Sequence, residues 1–232
     1  GVERLLWGEG ERLQCWTCSR RFGGRGGGGG GGGGSGPEPA REGLGTPGGR
    51  APCAQCPRCV ENPPAFECAV AVCRTVGVVR RMIHGLKYEG REYLAPSLGR
   101  CLAEGLGDGR LRAPLVEVLV PVPLHWRRLW GRGFNQALVL ARELGRARGL
   151  PVVEALRRVR DTGTQTRLGR SERWENLRGA FGLRRGGGAR VGGRHVLLVD
   201  DVLTTGATLD ACARVLRRAG AASVRALAVA RG

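Results

Sequence analysis

Aromatic side chains are scarce in this chain, at 5% of residues, and there is a single methionine. A core must therefore be built from valine, leucine and alanine. Lysine is nearly missing as well: Lys87 is the only one, so almost all of the formal net charge of +18 is arginine. No apolar run approaches the roughly 18 to 20 residues that cross a bilayer, so no membrane-spanning helix is expected. Residues 1–14 carry Glu3, Arg4, Glu9, Glu11 and Arg12 without a cleavage-like segment. No signal peptide is expected, and a cytoplasmic location is the default. The chain begins at Gly1 rather than Met, so its true start is expected upstream. A Walker loop is absent, because no G-x-x-x-x-G-K-[ST] order occurs.

Glycine, arginine and cysteine are what the chain has in quantity. Much of the glycine lies in one run, residues 26–34, so the global composition misdescribes the folded part. The arginine excess attracts polyanions, and phosphates above all, because guanidinium pairs with phosphate oxygens in a bidentate fork. The alternative is a compositional bias displayed on a solvated surface. Nine cysteines, an odd number arranged in C-x-x-C pairs, suit metal binding in a reducing compartment better than a disulfide framework.

With 232 residues there is room for one ordinary domain and a small appendage. Residues 1–68 read as a cysteine-rich module. It is interrupted at 23–52 by a stretch rich in Gly, Pro and Arg, which is expected to be flexible because it cannot bury enough surface to offset ordering entropy. Residues 69–114 read as a mostly helical connector after a short extended start, with Met82, Ile83 and Leu86 on one face. From 115 to 232 strands and helices alternate. Residues 115–122, 152–159, 180–183, 195–199 and 223–230 read as strands. Residues 134–148 and 206–219 read as helices, and residues 160–179 as a long polar loop. That alternation means an α/β domain with a parallel sheet covered by helices on both faces.

The segment with the most chemistry runs from Val196 to Thr208. Four apolar residues bury a central strand, and Asp200 and Asp201 follow at its carboxyl end, where open α/β sheets bind ligands. Neighbouring strand residues point to opposite faces, so the two carboxylates can do different jobs. One can accept hydrogen bonds from ribose hydroxyls, and the other can orient a magnesium-bound water or a backbone group. Val202, Leu203, Thr204, Thr205, Gly206, Ala207 and Thr208 then open a helix. The amides there, the helix dipole and the threonine hydroxyls make an anion pocket, and Gly206 lets the main chain approach a phosphate. The plainer alternative is a strand end followed by a threonine-rich turn.

This stretch closely resembles the phosphoribosyl-diphosphate binding signature of the type I phosphoribosyltransferases. The segments Pro121-Val122-Pro123-Leu124-His125 and Arg127, Arg128, Arg132-Gly133-Phe134-Asn135-Gln136 resemble the ComF/GntX group, which is associated with natural competence and DNA utilisation. So do Ile83-His84-Gly85-Leu86-Lys87-Tyr88 and the run from Gln165 through Arg173 and Asn176 to Phe181. The resemblance implies the type I phosphoribosyltransferase fold. It also implies a diphosphate loop after the first strand, with Arg127, Arg128, Arg132, Gly133 and Asn135. The polar segment 160–179, with Gln165, Arg173 and Asn176, would be a hood that closes over the substrate and excludes water. Physically, three arginines beside a strand end offer countercharge to a diphosphate, or else are solvated helix-start residues. His84, Lys87 and His125 read as either surface and packing residues or site residues.

Cys15-x-x-Cys18 and Cys56-x-x-Cys59, with Cys53 as a further candidate, have the spacing of two knuckles that share one tetrahedral zinc. Free or vestigial thiols are the alternative. The ComF group carries N-terminal zinc-ribbon cysteine pairs, the last of which stands before a segment like Pro63-Pro64-Ala65-Phe66. Cys68, Cys73, Cys101 and Cys212 lie in apolar runs and read as small core residues.

Two functions follow. The first is a transferase that uses phosphoribosyl diphosphate and magnesium. No purine or pyrimidine hood and no N-terminal glutaminase is recognisable, so the acceptor is left open. The second is a non-catalytic protein that holds a phosphoribosyl ligand while the zinc module and arginines contact single-stranded DNA or the competence machinery. Trp16, Trp126, Trp130 and Trp174 are its candidate stacking platforms.

Overall fold

The computed structural model of the chain describes residues 13–15, 17–19, 21–22, 55–160, 177 and 179–232. The insertion at 23–52, Cys53, Trp16, Trp174 and the hood residues Gln165, Arg173 and Asn176 lie outside these. So do the side chains of Arg127 and Arg128.

A four-stranded parallel sheet organises the molecule. Its strands are β3 (Ala69–Arg74), β4 (Val118–Pro121), β7 (His195–Leu203) and β8 (Ser223–Arg231), in the spatial order β3-β8-β7-β4. Val152 extends the sheet by a single parallel bridge to Leu119. Both faces are covered, so the central strands read as continuous apolar runs rather than as alternation. Two short pairs lie outside the sheet: β1 (Leu13–Gln14) with β2 (Arg21–Phe22), and β5 (Leu156–Arg158) with β6 (Phe181–Leu183), both antiparallel.

One face is packed by α2 (Gly77–Tyr88), α3 (Ala95–Gly105) and α5 (Gln136–Arg148). Ile83, Leu86, Leu98, Leu102, Leu140 and Leu144 meet Val70, Leu119, Leu197 and Leu227 there in one hydrophobic cluster. Gly105 allows the close approach of α3, since a Cβ at that position would stand 2.5 Å from Val72 Cγ2. The opposite face carries α6 (Gly187–Val191), α7 (Ala207–Arg218) and the β5–β6 pair over Val196, Leu198, Ala226 and Ala228. Two further helices are short, α1 (Pro57–Glu61) and α4 (Trp126–Arg132). Among the described residues no helix is long and apolar enough to cross a membrane.

The α/β class with a parallel sheet and flanking helices is as expected, and two details of the strands differ. Within 69–114, β3 pairs with β8, and α2 and α3 share one hydrophobic layer with α5. Residues 152–159 are not one strand. Val152 joins the parallel sheet, whereas Leu156–Arg158 turns away to pair with Phe181–Leu183. The strand expected at 195–199 runs on to Leu203, so the acid pair lies inside it. Cys68, Cys73 and Cys212 are buried as core residues, and Cys101 is half-buried.

Candidate functional site

Extension of β7 to Leu203 puts the two aspartates on opposite faces of the sheet. Asp201 shares the face of Leu197 and Val199, on which α2 packs; Asp200 shares the face of Val196 and Leu198, under α7. Lys87, in the last turn of α2, reaches that edge and places Nζ 2.8 Å from Asp201 Oδ2, with 22% and 10% of the two side chains exposed. The Asp201 backbone N–H donates to Asp200 Oδ1 at 2.9 Å. Burial pushes the Asp200 carboxyl up to about 7, with the neighbouring Asp201 charge adding to the effect and Lys87 opposing it. Burial and the neighbouring negative charge make a cation the natural partner of this pair, and Lys87 supplies one.

The loop after the strand turns sharply into a helix. Gly206 has φ 82, a left-handed value that glycine adopts without steric cost, and it precedes the twelve residues of α7. Ala207 N–H donates to Thr205 Oγ1 at 3.3 Å, and Asp210 N–H to Gly206 O at 2.9 Å. Thr204 is exposed and Thr205 and Thr208 are half-buried, whereas Leu203 and Ala207 are core anchors. The residues of the expected phosphoribosyl pocket thus divide into those open to a ligand and those that hold the loop down. Val202, half-buried, packs against the cluster under α2.

Residues 122–135 connect β4 to α5 at the same edge. Arg132 lies with its guanidinium carbon 4.8 Å from the centre of the Tyr88 ring and donates to Gln136 Oε1 at 3.2 Å. This contact joins α4 to the end of α2 that carries Lys87. Gly133, at φ 79, closes α4. Asn135 uses both ends of its amide internally: Oδ1 accepts from Ala137 N–H at 3.1 Å and Nδ2 donates to Val122 O at 3.0 Å. It shapes the loop and caps α5. Gln136, which is buried, has no hydrogen-bond partner for Nε2 among the described residues. His125 is buried beside Trp126, with ring centres 5.6 Å apart. His84 is a surface residue, with Nδ1 3.0 Å from Glu89 Oε1.

The cysteine knuckles meet although they are far apart in sequence. Cys15, Cys18, Cys56 and Cys59 are buried, with all four Sγ atoms within 4.8 Å of one another. Cys18 Sγ and Cys56 Sγ are 3.7 Å apart. Zinc–sulfur bonds of about 2.3 Å in a tetrahedron require sulfurs about 3.8 Å apart, so the four ligands fit zinc. The four thiols share hydrogen bonds, so that Cys15 is pushed down and Cys59 up by the same contacts.

Sequence reasoning left Lys87 open and missed the contribution of Phe66 and Asp210. Lys87 carried a signal, as the only lysine of an arginine-rich chain. Phe66 packs beside Gly206, and Asp210 Oδ1 accepts from Ala65 N–H at 2.7 Å. Neither contact has a local sequence signature.

Comparison with known proteins places these features in a family. Residues 131–232 match the family model described as phosphoribosyl transferase domain. The chain is 37% identical to the DNA utilization protein YhgH of Salmonella typhi over 78% of this chain and 79% of that protein. It is 31% identical to competence protein F of Haemophilus influenzae, over 76% of this chain and 78% of that one. Among solved structures it is similar to the glutamine phosphoribosylpyrophosphate amidotransferase of B. subtilis, at 21% identity and a TM-score of 0.40, covering 62% of this chain and 30% of that one.

Proposed function

This chain belongs to the family of phosphoribosyl transferase-domain proteins that includes competence protein F and the DNA utilization proteins, and on that premise we propose that it binds phosphoribosyl diphosphate with magnesium at the edge of β7. The observation that carries the reading is one of continuity. A partly buried acid pair and a glycine-turned helix start follow each other on one strand and its exit loop, at the carboxyl edge of a parallel sheet. The acid pair is suited to the ribose hydroxyls and a metal-bound water. The amides and hydroxyls of Thr204, Thr205 and Thr208 are suited to the 5-phosphate. Arg127, Arg128 and Arg132, on the loop after β4, are placed in sequence for the diphosphate, with Gly133 and Asn135 shaping that loop. Gln165, Arg173 and Asn176 are the hood residues in this reading.

Magnesium, when bound, would offset the charge of the leaving diphosphate. The chain's own groups orient the sugar, hold its phosphate and neutralise charge, so catalysis would be positioning and electrostatics without a covalent nucleophile. The test is diphosphate release from phosphoribosyl diphosphate with magnesium and a panel of nitrogen bases. Acceptor-dependent release that Asp200→Asn abolishes supports a transferase.

A second reading keeps the ligand pocket without turnover and adds single-stranded DNA. A specific surface favours it: Trp126 and Trp130 are 55% and 84% exposed on α4, beside the Arg132–Tyr88 contact, in a chain of net charge +18. Bases stack on exposed rings, and phosphates gather around arginine. The relatives' names concern DNA utilization and competence, and a role in handling DNA is part of the proposal for this chain. Titration of fluorescent single-stranded DNA across salt concentrations decides it. Binding that weakens steeply with salt supports the role, and no binding at low salt removes it.

A further inference from the structure

We propose that zinc in the four-cysteine site and a phosphate ester in the 204–208 loop bind with positive linkage, and that Phe66 and Asp210 are the positioning residues between them. The proposal rests on the reading of that loop as a phosphate site.

The first knuckle joins the amino end of the edge strand β3, and the second leads into the segment that lies against the loop. On the first, Ala69 N–H donates to Thr17 O at 2.7 Å and Ser19 Oγ to Ala69 O at 2.5 Å, so the knuckle continues the hydrogen bonding of the edge strand β3. Arg231 Nη1 donates to Cys18 O at 3.2 Å. Arg231 is opposite Leu203 in the β7–β8 register, and Gly232 N–H donates to Leu203 O at 3.0 Å. Through Arg231 this knuckle is linked to the strand end from which the loop departs.

On the second knuckle, α1 carries Cys59 and leads into residues 62–67, which lie against the loop itself. A Cβ on Gly206 would stand 3.7 Å from the Phe66 ring, and Phe66 belongs to the same buried cluster as Leu203 and Ala207. Ala65 N–H donates to Asp210 Oδ1 at 2.7 Å, and Arg214 Nε donates to Asp210 Oδ2 at 2.8 Å. Asp210 is only 3% exposed and stands in the first turn of the helix that would receive the phosphate. An uncompensated buried carboxylate there would repel an anion. The Ala65 amide and Arg214 hold it in place and offset its charge.

Closing the chain between Cys18 and Cys56, 38 positions apart, costs entropy that a shared metal ion offsets. Loss of the ion loosens residues 62–67, and with them the packing behind Gly206 and one partner of Asp210. A ligand that needs the ordered loop must then bind the metal-loaded protein more tightly. Linkage is reciprocal, so the ligand must tighten the metal by the same factor.

The test uses the full-length, zinc-loaded protein and ribose 5-phosphate, which needs no added magnesium to compete for a chelator. Calorimetry first finds the saturating concentration. Zinc partition to a chromogenic chelator is then measured with and without the sugar phosphate. We expect ribose 5-phosphate to raise apparent zinc affinity by about tenfold. In Phe66→Leu and Asp210→Ala, zinc content is retained and that factor collapses toward one. A saturating ligand that leaves zinc partition in the unaltered protein unchanged overturns the linkage. So does a factor undiminished in both variants. No calorimetric heat at all removes the phosphate reading of the loop and the linkage with it, and the failing measurement tells the two apart.

Discussion

Lys87 Nζ stands 2.8 Å from Asp201 Oδ2, so the only lysine of the chain neutralises half of the acid pair. A compact ammonium on a flexible stem fits a narrow half-buried edge where a planar guanidinium would need more room. Its charge also lowers the Asp200 carboxyl, which burial and Asp201 raise. Lys87→Gln should therefore move the pH midpoint of magnesium-dependent ligand binding upward. Calorimetric titration across pH reads this directly, and an unmoved midpoint would show that Lys87 does not set the charge of the pair.

Asp200 makes stability depend on pH in a fixed direction. Its carboxyl rises from 3.8 in the unfolded chain to about 7 in the folded protein. Between these values the folded protein keeps a proton that the unfolded chain has released. The contribution of this group is thus greatest below 3.8 and is lost as pH rises through 7. Urea unfolding should show Asp200→Asn gaining stability over the unaltered chain as pH rises through that window, with a constant difference above it. A difference that shrinks with pH would contradict this.

Gly206→Ala separates backbone strain from steric clash. The nearest atom to an added Cβ is the Phe66 ring at 3.7 Å, an ordinary contact, so the cost comes from φ 82. A stability loss of about 1 to 2 kcal/mol is expected, and less for Gly206→Asn, because asparagine tolerates the left-handed region. Chemical denaturation measures both.

Elemental analysis of purified protein should find one zinc per chain. Cys59→Ser should lower that content toward zero together with the thermal midpoint. Cys101→Ser, half-buried and outside the four-sulfur cluster, should leave the zinc content unchanged. Equal zinc loss in both variants would argue against the assigned ligands.

Arg225 is a buried charge far from any stated job. It is 1% exposed, donates through Nη2 to Pro114 O, and has no partner for Nε or Nη1 among the described residues. Replacing such a group by an apolar chain of similar length is commonly neutral or favourable. Arg225→Met should therefore stabilise the protein by about 1 kcal/mol, read from denaturant midpoints at equal slope. A loss of several kcal/mol would mean that the bond to Pro114 O outweighs the cost of burying the charge.

Much of the candidate site could be read before any coordinates because it is local. The strand, the acid pair, the glycine turn and the helix start follow one another in the chain, so short-range geometry alone brings them together. The four knuckle cysteines were legible for the same reason, since C-x-x-C spacing places two thiols on one turn. Strand limits were harder. Val152 and Leu156 look like parts of one apolar strand, yet they pair with different partners, because pairing depends on what lies alongside. The place of residues 69–114 is hard to read for a related reason. The helical pattern of α2 and α3 is plain, but nothing in Ala69–Arg74 says that its partner is β8.

Contiguous residues determined the fold class, the acid-pair and glycine-turn motif and the two C-x-x-C pairs, because backbone dihedrals and strand alternation act over a few residues. Tertiary packing decided that Lys87 meets Asp201, how far burial raises Asp200, that the two cysteine pairs meet, and that Ala65 and Phe66 back onto Asp210 and Gly206. Those outcomes depend on which helix lies on which face of the sheet and on how much water that packing removes.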